Sequence, residues 1–488
     1  MSSRVLIIGG GITGLSCAYE LNKLGASRPP CCPGGASALK AQDGQGSQVC
    51  ILEASSRLGG KLLGASIQGV PVDAGPDAML SVRPWAVELA CELGLEQDIL
   101  CTDRFHREVY VYSRGKLRRY PEGVMMLMPS RVLPFLASDI LAWKDKLRMG
   151  MEFFVPPLAG GQEESLGDFG RRRFGEGAVR SIVEPVLAGI YAGDVERLSL
   201  DSTFPRLREL EQEHGSVLRG MFFGGPHGAR APGARTFFVT LREGLAQLSE
   251  TLARRMAPCA RLESPVRRLF REDDLWHAEL DGGEVLPADC VVLAAPADAC
   301  GRMLAQSAPK LSAALSEFEF SSTAAVNLLY GEAAAKRIPK GFGFLVERGS
   351  GLSITAATFV SSKFPGRAPE DRLLLRAYIG GKGREAPLAL DDGKLVSAVR
   401  EDLRRVLGLE EEPLGSLVHR WPQANALYNV GHGRRLLRVQ EAAAAYPGLL
   451  LAGGCYRGIG VPECVRSGRE AGRRILSSPG GSVRGVVV

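Results

Sequence analysis

The stretch Val5-Leu6-Ile7-Ile8-Gly9-Gly10-Gly11-Ile12-Thr13-Gly14-Leu15 sets the fold class of this chain. Four consecutive apolar residues suit a buried strand, and glycine follows at once. Beyond it, Leu15, Ala18, Leu21 and Leu24 fall at near-helical spacing, so the pattern predicts a strand turning sharply into a helix. The turn carries Gly9-x-Gly11-x-x-Gly14. Here the first glycine permits the tight turn and the second lets backbone approach a pyrophosphate. The third allows close helix-to-sheet packing, and the helix N-terminus adds positive potential. Glycine turns also arise for steric reasons alone, so the match needs support from elsewhere in the chain.

Working outward, Val49-Cys50-Ile51-Leu52 reads as a second buried strand and ends at Glu53. A carboxylate there can bind the hydroxyls of an adenosine ribose. It stands further from Gly14 than the ~20 residues such motifs use, but subtracting residues 28–46, a Pro/Gly-rich insertion without period, restores the spacing. Arg57-Leu58-Gly59-Gly60-Lys61 follows, a glycine pair between two cations suited to a second pass against the phosphates. Asp73-Ala74-Gly75-Pro76 makes a further turn near the ligand. At the other end, Leu449-Leu450-Leu451-Ala452 is a buried strand, Gly453-Gly454 ends it, and Gly458-Ile459-Gly460-Val461-Pro462 leads into an apolar helix with proline in its first turn. That helix N-terminus would stabilise negative charge on the ligand, although a purely structural helix stays open.

Between the ends, Val291 to Ala295 is a third buried strand, Pro84 to Leu93 reads as a helix, and Val109–Tyr112 with Lys116–Tyr120 flank a hairpin turn at Ser113-Arg114-Gly115. The Met-rich stretch from Met125 to Phe154 is amphipathic and opens a helical region, either a membrane-surface helix or ordinary core. Residues 224–235 are a low-complexity loop. Phe237 to Leu252 looks helical in its later half. The expected organisation is a first nucleotide-binding part over 1–80, a helical substrate or membrane-facing subdomain over 81–220, and a second nucleotide part over 236–300. An α+β substrate lobe over 301–440, a third nucleotide part over 441–478 and a flexible tail over 479–488 complete it.

Bulk properties exclude several classes. The 488 residues are 45% hydrophobic and 23% charged, as in ordinary globular proteins. The net charge of +6 is scattered, which does not indicate nucleic-acid binding. The 11 cysteines form no CxxC pair and, with several in apolar runs, read as reduced residues of a cytoplasmic chain, Cys31-Cys32 being the doubtful pair. No metal site is expected. The N-terminus lacks a signal-peptide core, and no run approaches the roughly 18 apolar residues of a membrane span, so any membrane contact would be peripheral.

These residues resemble the protoporphyrinogen oxidase family, a branch of the flavin amine-oxidase superfamily that includes coproporphyrinogen III oxidases. The resemblance covers nearly the whole chain. Its more specific echoes are Gly75-Pro76-Asp77-Ala78-Met79-Leu80, Gly189-Ile190-Tyr191-Ala192-Gly193-Asp194, Ser202-Thr203-Phe204-Pro205, Gly341-Phe342-Gly343-Phe344-Leu345 and Gly458 to Cys464. It implies an α/β fold: a Rossmann-like FAD-binding domain of the amine-oxidase type, with an inserted α+β substrate lobe and a helical subdomain. It further implies FAD held by Gly9, Gly11, Ile12, Thr13, Gly14, Glu53, Ala54, Arg57, Gly59, Gly60, Lys61, Gly75, Pro76, Asp77, Val266, Ala295, Gly453, Gly454, Gly460 and Val461. A porphyrinogen would meet Asp77, Ala192, Gly193, Gly341, Phe342, Leu345 and Tyr378. Repeated hydride transfers to the flavin would aromatise the macrocycle in heme biosynthesis, with molecular oxygen as acceptor and peroxide released. The apolar glycine-assisted walls suit a flat disc, although any one aromatic here could be simple core. A monomer or homodimer is expected, and these residues do not distinguish the two.

Two departures bear on the substrate. Val109 precedes Tyr110 where relatives acting on protoporphyrinogen often carry arginine, leaving Arg107, Arg114 or Arg118 as substitutes, and Tyr378 stands where methionine is frequent, a pattern of coproporphyrinogen-type members. The choice between the two porphyrinogens stays open. None of the six histidines is placed as a general base, which is tolerable where the cofactor drives the chemistry. The alternatives are an amine oxidase or carotenoid-type desaturase on the same scaffold and, from another class, a non-redox carrier of lipidated proteins.

Overall fold

The computed structural model describes residues 4–24, 48–121, 124–125, 128–129, 132–158, 162–223, 236–478 and 484–488. The 28–46 insertion, Cys31-Cys32 and the 224–235 loop lie outside them.

The apolar runs become the strands they predict. Arg4–Ile8 is flanked in parallel by Gln48–Leu52 on one side and Cys290–Leu293 on the other. Ala260–Arg261 adds beyond Gln48–Leu52, and Leu449–Leu451 beyond Cys290–Leu293. Both faces of this sheet are buried, which is why its strands are continuously apolar rather than alternating. The opening helix, Ile12–Leu24, and the closing helix, Val461–Leu476, pack together. The carboxyl ends of all these strands therefore converge on one edge, where such sheets bind ligands.

The tail departs from expectation. Val486–Val487 pairs in parallel with Leu449–Leu451 as a sixth strand, and Val487 and Val488 are buried. Three valines are too short a run to show a period, but an open sheet edge next to a crossover helix gives them backbone partners and an apolar floor.

A second sheet runs in the order Gly415–Leu427, Glu319–Tyr330, Leu373–Gly380, Ile354–Phe359, Gly343–Val346, Val109–Ser113, Lys116–Arg119. It is antiparallel except where Gly343–Val346 lies parallel to Val109–Ser113. The hairpin at 109–119 thus belongs to this sheet and not to the helical subdomain expected over 81–220. Helices occupy the region from Val132 to Phe223 and enclose their own core around Phe169, Phe174, Ile182 and Leu187. The amphipathic stretch from Met125 to Phe154 is not one helix. A short strand pair, Val124–Met125 with Met128–Pro129, precedes helices at Val132–Ala137 and Trp143–Gly150, because Pro129 cannot donate within a helix. Among the described residues no helix is long and apolar enough to cross a membrane.

Candidate cofactor and substrate site

The first turn is held by its own glycines and by Glu53. Gly9 adopts φ +108°, and a Cβ there would sit 2.8 Å from the Ala294 carbonyl oxygen, beside Ala295. A Cβ on Gly14 would strike the Gly9 carbonyl oxygen at 2.0 Å. Glu53 accepts from the Gly10 N–H at 2.7 Å through one oxygen, and from the Ser55 N–H at 2.9 Å and hydroxyl at 2.7 Å through the other. A carboxylate offers about four acceptor positions, so capacity remains for a hydroxyl of a ligand. Glu53 also takes the Ser264 N–H on its carbonyl, which brings the start of Val266–Glu272 alongside. Ala54 is exposed beside it.

The second pass docks as the glycine pair suggests. The Gly59 N–H donates to the Gly10 carbonyl at 2.9 Å, and Gly60, at φ +57°, lies against Gly11. The two cations are otherwise engaged than expected: Arg57 donates to the Gly60 carbonyl at 2.6 Å, and Lys61 to the Ala424 carbonyl.

The chain's two ends meet here. A Cβ on Gly468 of the closing helix would come within 2.1 Å of the Thr13 carbonyl oxygen, so the helices cross at backbone contact. Glu20 of the opening helix, 2% exposed, binds Arg469 at 2.8 Å and Arg473 at 2.7 Å on the closing one. Tyr428 braces the loop before that helix, donating to the Gly454 carbonyl at 2.9 Å and accepting the Gly458 N–H at 2.7 Å. Two glycines differ from the packed ones. A Cβ on Gly11 would meet nothing nearer than Gly60 Cα at 3.9 Å, and one on Gly453 nothing nearer than Thr13 Oγ1 at 3.8 Å. Both face open space on the same edge, a cradle in which a ligand can touch backbone. The helix N-terminus is less bare than its sequence suggests: Glu463, close to Gly458 and Gly460, lies over it and pairs with Arg83 at 3.4 Å.

The turn at Asp73 to Asp77 joins this cradle to the second sheet. Asp73 is buried and accepts from the Leu245 N–H at 2.8 Å and from Arg367 at 2.9 Å; burial nevertheless pushes its carboxyl up to about 6. Its carbonyl takes bonds from Asn327 at 3.0 Å and Arg376 at 2.7 Å, the Ala74 carbonyl one from Trp421 at 2.8 Å, and the Gly75 carbonyl a second from Arg376. Gly75 is obligatory, since a Cβ would sit 1.7 Å from the Lys61 carbonyl oxygen. Pro76 is exposed and Asp77 half-buried. Burial opposes the Asp77 charge, but Lys363 and then Arg376 outweigh it and hold the carboxyl below its usual range. Tyr378 is beside Asp77, its hydroxyl kept protonated by burial, with Arg376 5.0 Å over its ring. Its cross-strand neighbours are Ala325 and Ala356, small residues that leave the sheet face flat.

The remaining expected substrate residues come from two directions. Ala192 ends the helix Glu184–Tyr191 at φ 49°, a strained value for a residue with a Cβ. Its carbonyl is pinned by the Lys382 N–H and the Ser321 hydroxyl, both at 2.9 Å, which seats Ala192 and Gly193 on the end of the second sheet. Leu345, half-buried, packs against the helical core near Gly189. Phe342 is half-buried, and Gly341 owes its glycine to the Glu108 carbonyl oxygen, 2.4 Å from where its Cβ would stand. Of the suggested arginines, Arg114 donates to the Asp139 and Ile140 carbonyls and Arg118 pairs with Asp139, while Arg107 is exposed. Lys363, Arg376, Trp421 and Tyr428 escaped the sequence reading. Only the arginine-tyrosine alternation at Arg376 and Tyr378, two residues apart on one strand face, offered a signal.

Residues 12–476 match the family of flavin containing amine oxidoreductases. The chain is 34% identical to a coproporphyrinogen III oxidase of Bacillus subtilis, over 96% of this chain and 97% of that one. It is 28% identical to the chloroplastic protoporphyrinogen oxidase 1 of Arabidopsis thaliana, over 96% and 87% of the two chains. A crystal structure from Exiguobacterium sp. 255-15, whose proposed name is protoporphyrinogen oxidase, superposes with a TM-score of 0.83 at 30% identity, covering 98% of this chain and 100% of the other.

Proposed function

This chain belongs to the flavin containing amine oxidoreductase family, and from that premise we propose that it is an FAD-dependent oxidase that turns a porphyrinogen into the aromatic porphyrin in heme biosynthesis. Coproporphyrinogen III is the preferred substrate over protoporphyrinogen IX, a choice supported by Tyr378 and by the B. subtilis relative. The reading rests above all on the junction of the two chain ends: Gly11 and Gly453 open onto one cradle, Glu53 stands at one end of it, and the Asp73 to Asp77 turn leads from it to a flat apolar sheet face.

The residues present fit the cofactor. Gly11, Ile12 and Thr13 would hold its pyrophosphate on the turn that Gly9 and Gly14 shape by packing, Glu53 its ribose, and Gly453, Gly454, Gly460 and Val461 its ring end. When bound, FAD supplies the acceptor for a hydride leaving carbon, and the protein's share is placement and exclusion of water. Ala192 and Gly193 present backbone to the macrocycle, and Phe342, Leu345 and Tyr378 bound it with apolar surface. The Tyr378 hydroxyl, kept protonated by burial, is hydrogen-bonded to Asp77 and adds no charge to that wall. Molecular oxygen is the final acceptor.

Anaerobic mixing with protoporphyrinogen IX and with coproporphyrinogen III in parallel tests this. Bleaching of the flavin band by either, faster with coproporphyrinogen III, is expected. No bleaching by either, with the flavin bound, would overturn the reaction class.

The outer face of the helical lobe supports peripheral membrane contact. Trp143, Leu147, Met151 and Phe154 repeat at helical spacing, yet are 66%, 69%, 58% and 86% exposed, with Leu133 nearby in the chain at 80% and Lys144 exposed beside them. An outward apolar stripe with tryptophan and a flanking cation suits an interfacial helix. Sedimentation with phosphatidylglycerol vesicles should carry the protein down, and replacing Trp143, Leu147 and Phe154 with serine should abolish it. Equal sedimentation of both proteins would remove the membrane from the account.

A further inference from the structure

The geometry points to Lys363 as the anchor for a carboxylate arm of the macrocycle, an assignment that rests on the porphyrinogen reading above. Lys363 ends the four-residue helix Val360–Lys363, after the strand Ile354–Phe359. Its ammonium stands 4.9 Å from the ring centre of Phe238 and 5.0 Å from that of Phe364. Those two faces hold it in place while satisfying none of its three donors. Among the described residues the ammonium makes no hydrogen bond or ion pair, and the charges that act on it are those of Asp77 and Arg376.

The neighbourhood has one cation too many. Arg376 spends its two terminal nitrogens on the carbonyls of Asp73 and Gly75, and Asp73 is already matched by Arg367. That leaves Asp77 as the single carboxylate facing both Arg376 and Lys363. Asp77 Oδ2 is buried without a hydrogen bond, although the Tyr378 hydroxyl supports the carboxylate, so the pair Asp77 and Lys363 is polar but incompletely satisfied. Buried polar groups in native proteins are ordinarily paired, and here a buried carboxylate oxygen and a half-buried ammonium both lack a hydrogen bond, an opening that a further polar group can fill. An incoming carboxylate would bond to the ammonium and restore neutrality, while Asp77 orients the ammonium from the other side. Tyr378, between its alanine neighbours, would lie under the adjoining ring. Lys363 thus fills the role left vacant by Arg114 and Arg118, which face Asp139.

The test compares acidic and esterified substrates. Lys363→Met should raise KM for coproporphyrinogen III at least tenfold, the size of a lost charge-assisted hydrogen bond. KM for its tetramethyl ester, FAD affinity and the flavin spectrum should stay as in wild type, and Lys363→Arg should restore most of the loss. An equal rise for acid and ester, or no rise, would overturn the assignment. Should Lys363→Met fail to fold, the wild-type protein decides: product affinity must fall with salt for coproporphyrin III and not for its ester, and equal salt dependence refutes the anchor. Failure of the porphyrinogen reading itself would show separately, as wild-type flavin left unreduced by either substrate.

Discussion

One added methyl at Gly468 would lie 2.1 Å from the Thr13 carbonyl oxygen, whereas one at Gly11 would meet nothing closer than 3.9 Å. These glycines therefore do different things, although both stand in glycine-marked segments. Gly468 lets two helices cross at backbone contact; Gly11 keeps a surface bare for a ligand. Gly468→Ala should lower the melting temperature of the apoprotein, by a destabilisation of about 1–3 kcal/mol or more from overpacking. Gly11→Ala should leave that temperature unchanged and weaken FAD binding at least tenfold, read by fluorescence titration, since a methyl in the path of a pyrophosphate costs contact and not folding. If Gly11→Ala destabilised the apoprotein as Gly468→Ala does, the cradle would be ordinary packing.

Among the elements, the closing helix depends on the strand that follows it. Ser467 accepts the Gly453 N–H at 2.9 Å and donates to the Val488 carbonyl at 3.0 Å, while the Val488 N–H donates to the Leu451 carbonyl at 2.9 Å. Ser467 is thus a positioning residue that fixes the Gly453 peptide. Ser467→Ala leaves a half-buried N–H without its acceptor, at a cost of about 1–3 kcal/mol. We expect FAD affinity to fall by roughly that amount, with Ser467→Thr restoring it; equal affinity in Ser467→Ala would sever the strand from the site. The helical lobe has a comparable keystone in Glu152, fully buried, which pairs with Arg173 and accepts from the Ser216 hydroxyl at 2.5 Å and the Val217 N–H at 2.9 Å. Glu152→Gln should open that lobe to proteolysis, a loss of about 3–5 kcal/mol, while FAD stays bound by the separate nucleotide core. Simultaneous loss of FAD would show that the lobes fold as one. What the sequence made legible at this scale was each apolar run that stops at glycine, because burial on both faces leaves an unmistakable composition. The strand at Val486–Val487 and the parallel pairing of Val109–Ser113 with Gly343–Val346 were not legible, because short runs take their partners from distant chain. Lys363 was equally hidden: a lone lysine acquires meaning only when Phe238, Asp77 and Arg376 are folded around it.

For the molecule as a whole, the question is what makes the cradle and the substrate sheet one device. The joint is the Asp73 to Gly75 turn, whose three carbonyls are all claimed by the second sheet, through Asn327, Arg376 and Trp421. Arg376 matters most, since it is buried, reaches two of the three, and faces Asp77 as well. A guanidinium in that position sets the distance between the lobes more rigidly than a neutral donor could, because its two nitrogens fix an orientation. Arg376→Met should therefore release FAD although the residue lies on the opposite sheet. Each lost charge-assisted bond is worth about 1.5–3 kcal/mol, so FAD affinity should fall more than tenfold and KM for the porphyrinogen should rise with it. Arg337→Ala, which breaks a surface pair with Glu411 and a bond to the Gly408 carbonyl far from either site, is the control and should change neither. Were Arg376→Met to impair substrate binding alone, with FAD affinity intact, the turn would hold the cofactor unaided and the two lobes would communicate by some other contact.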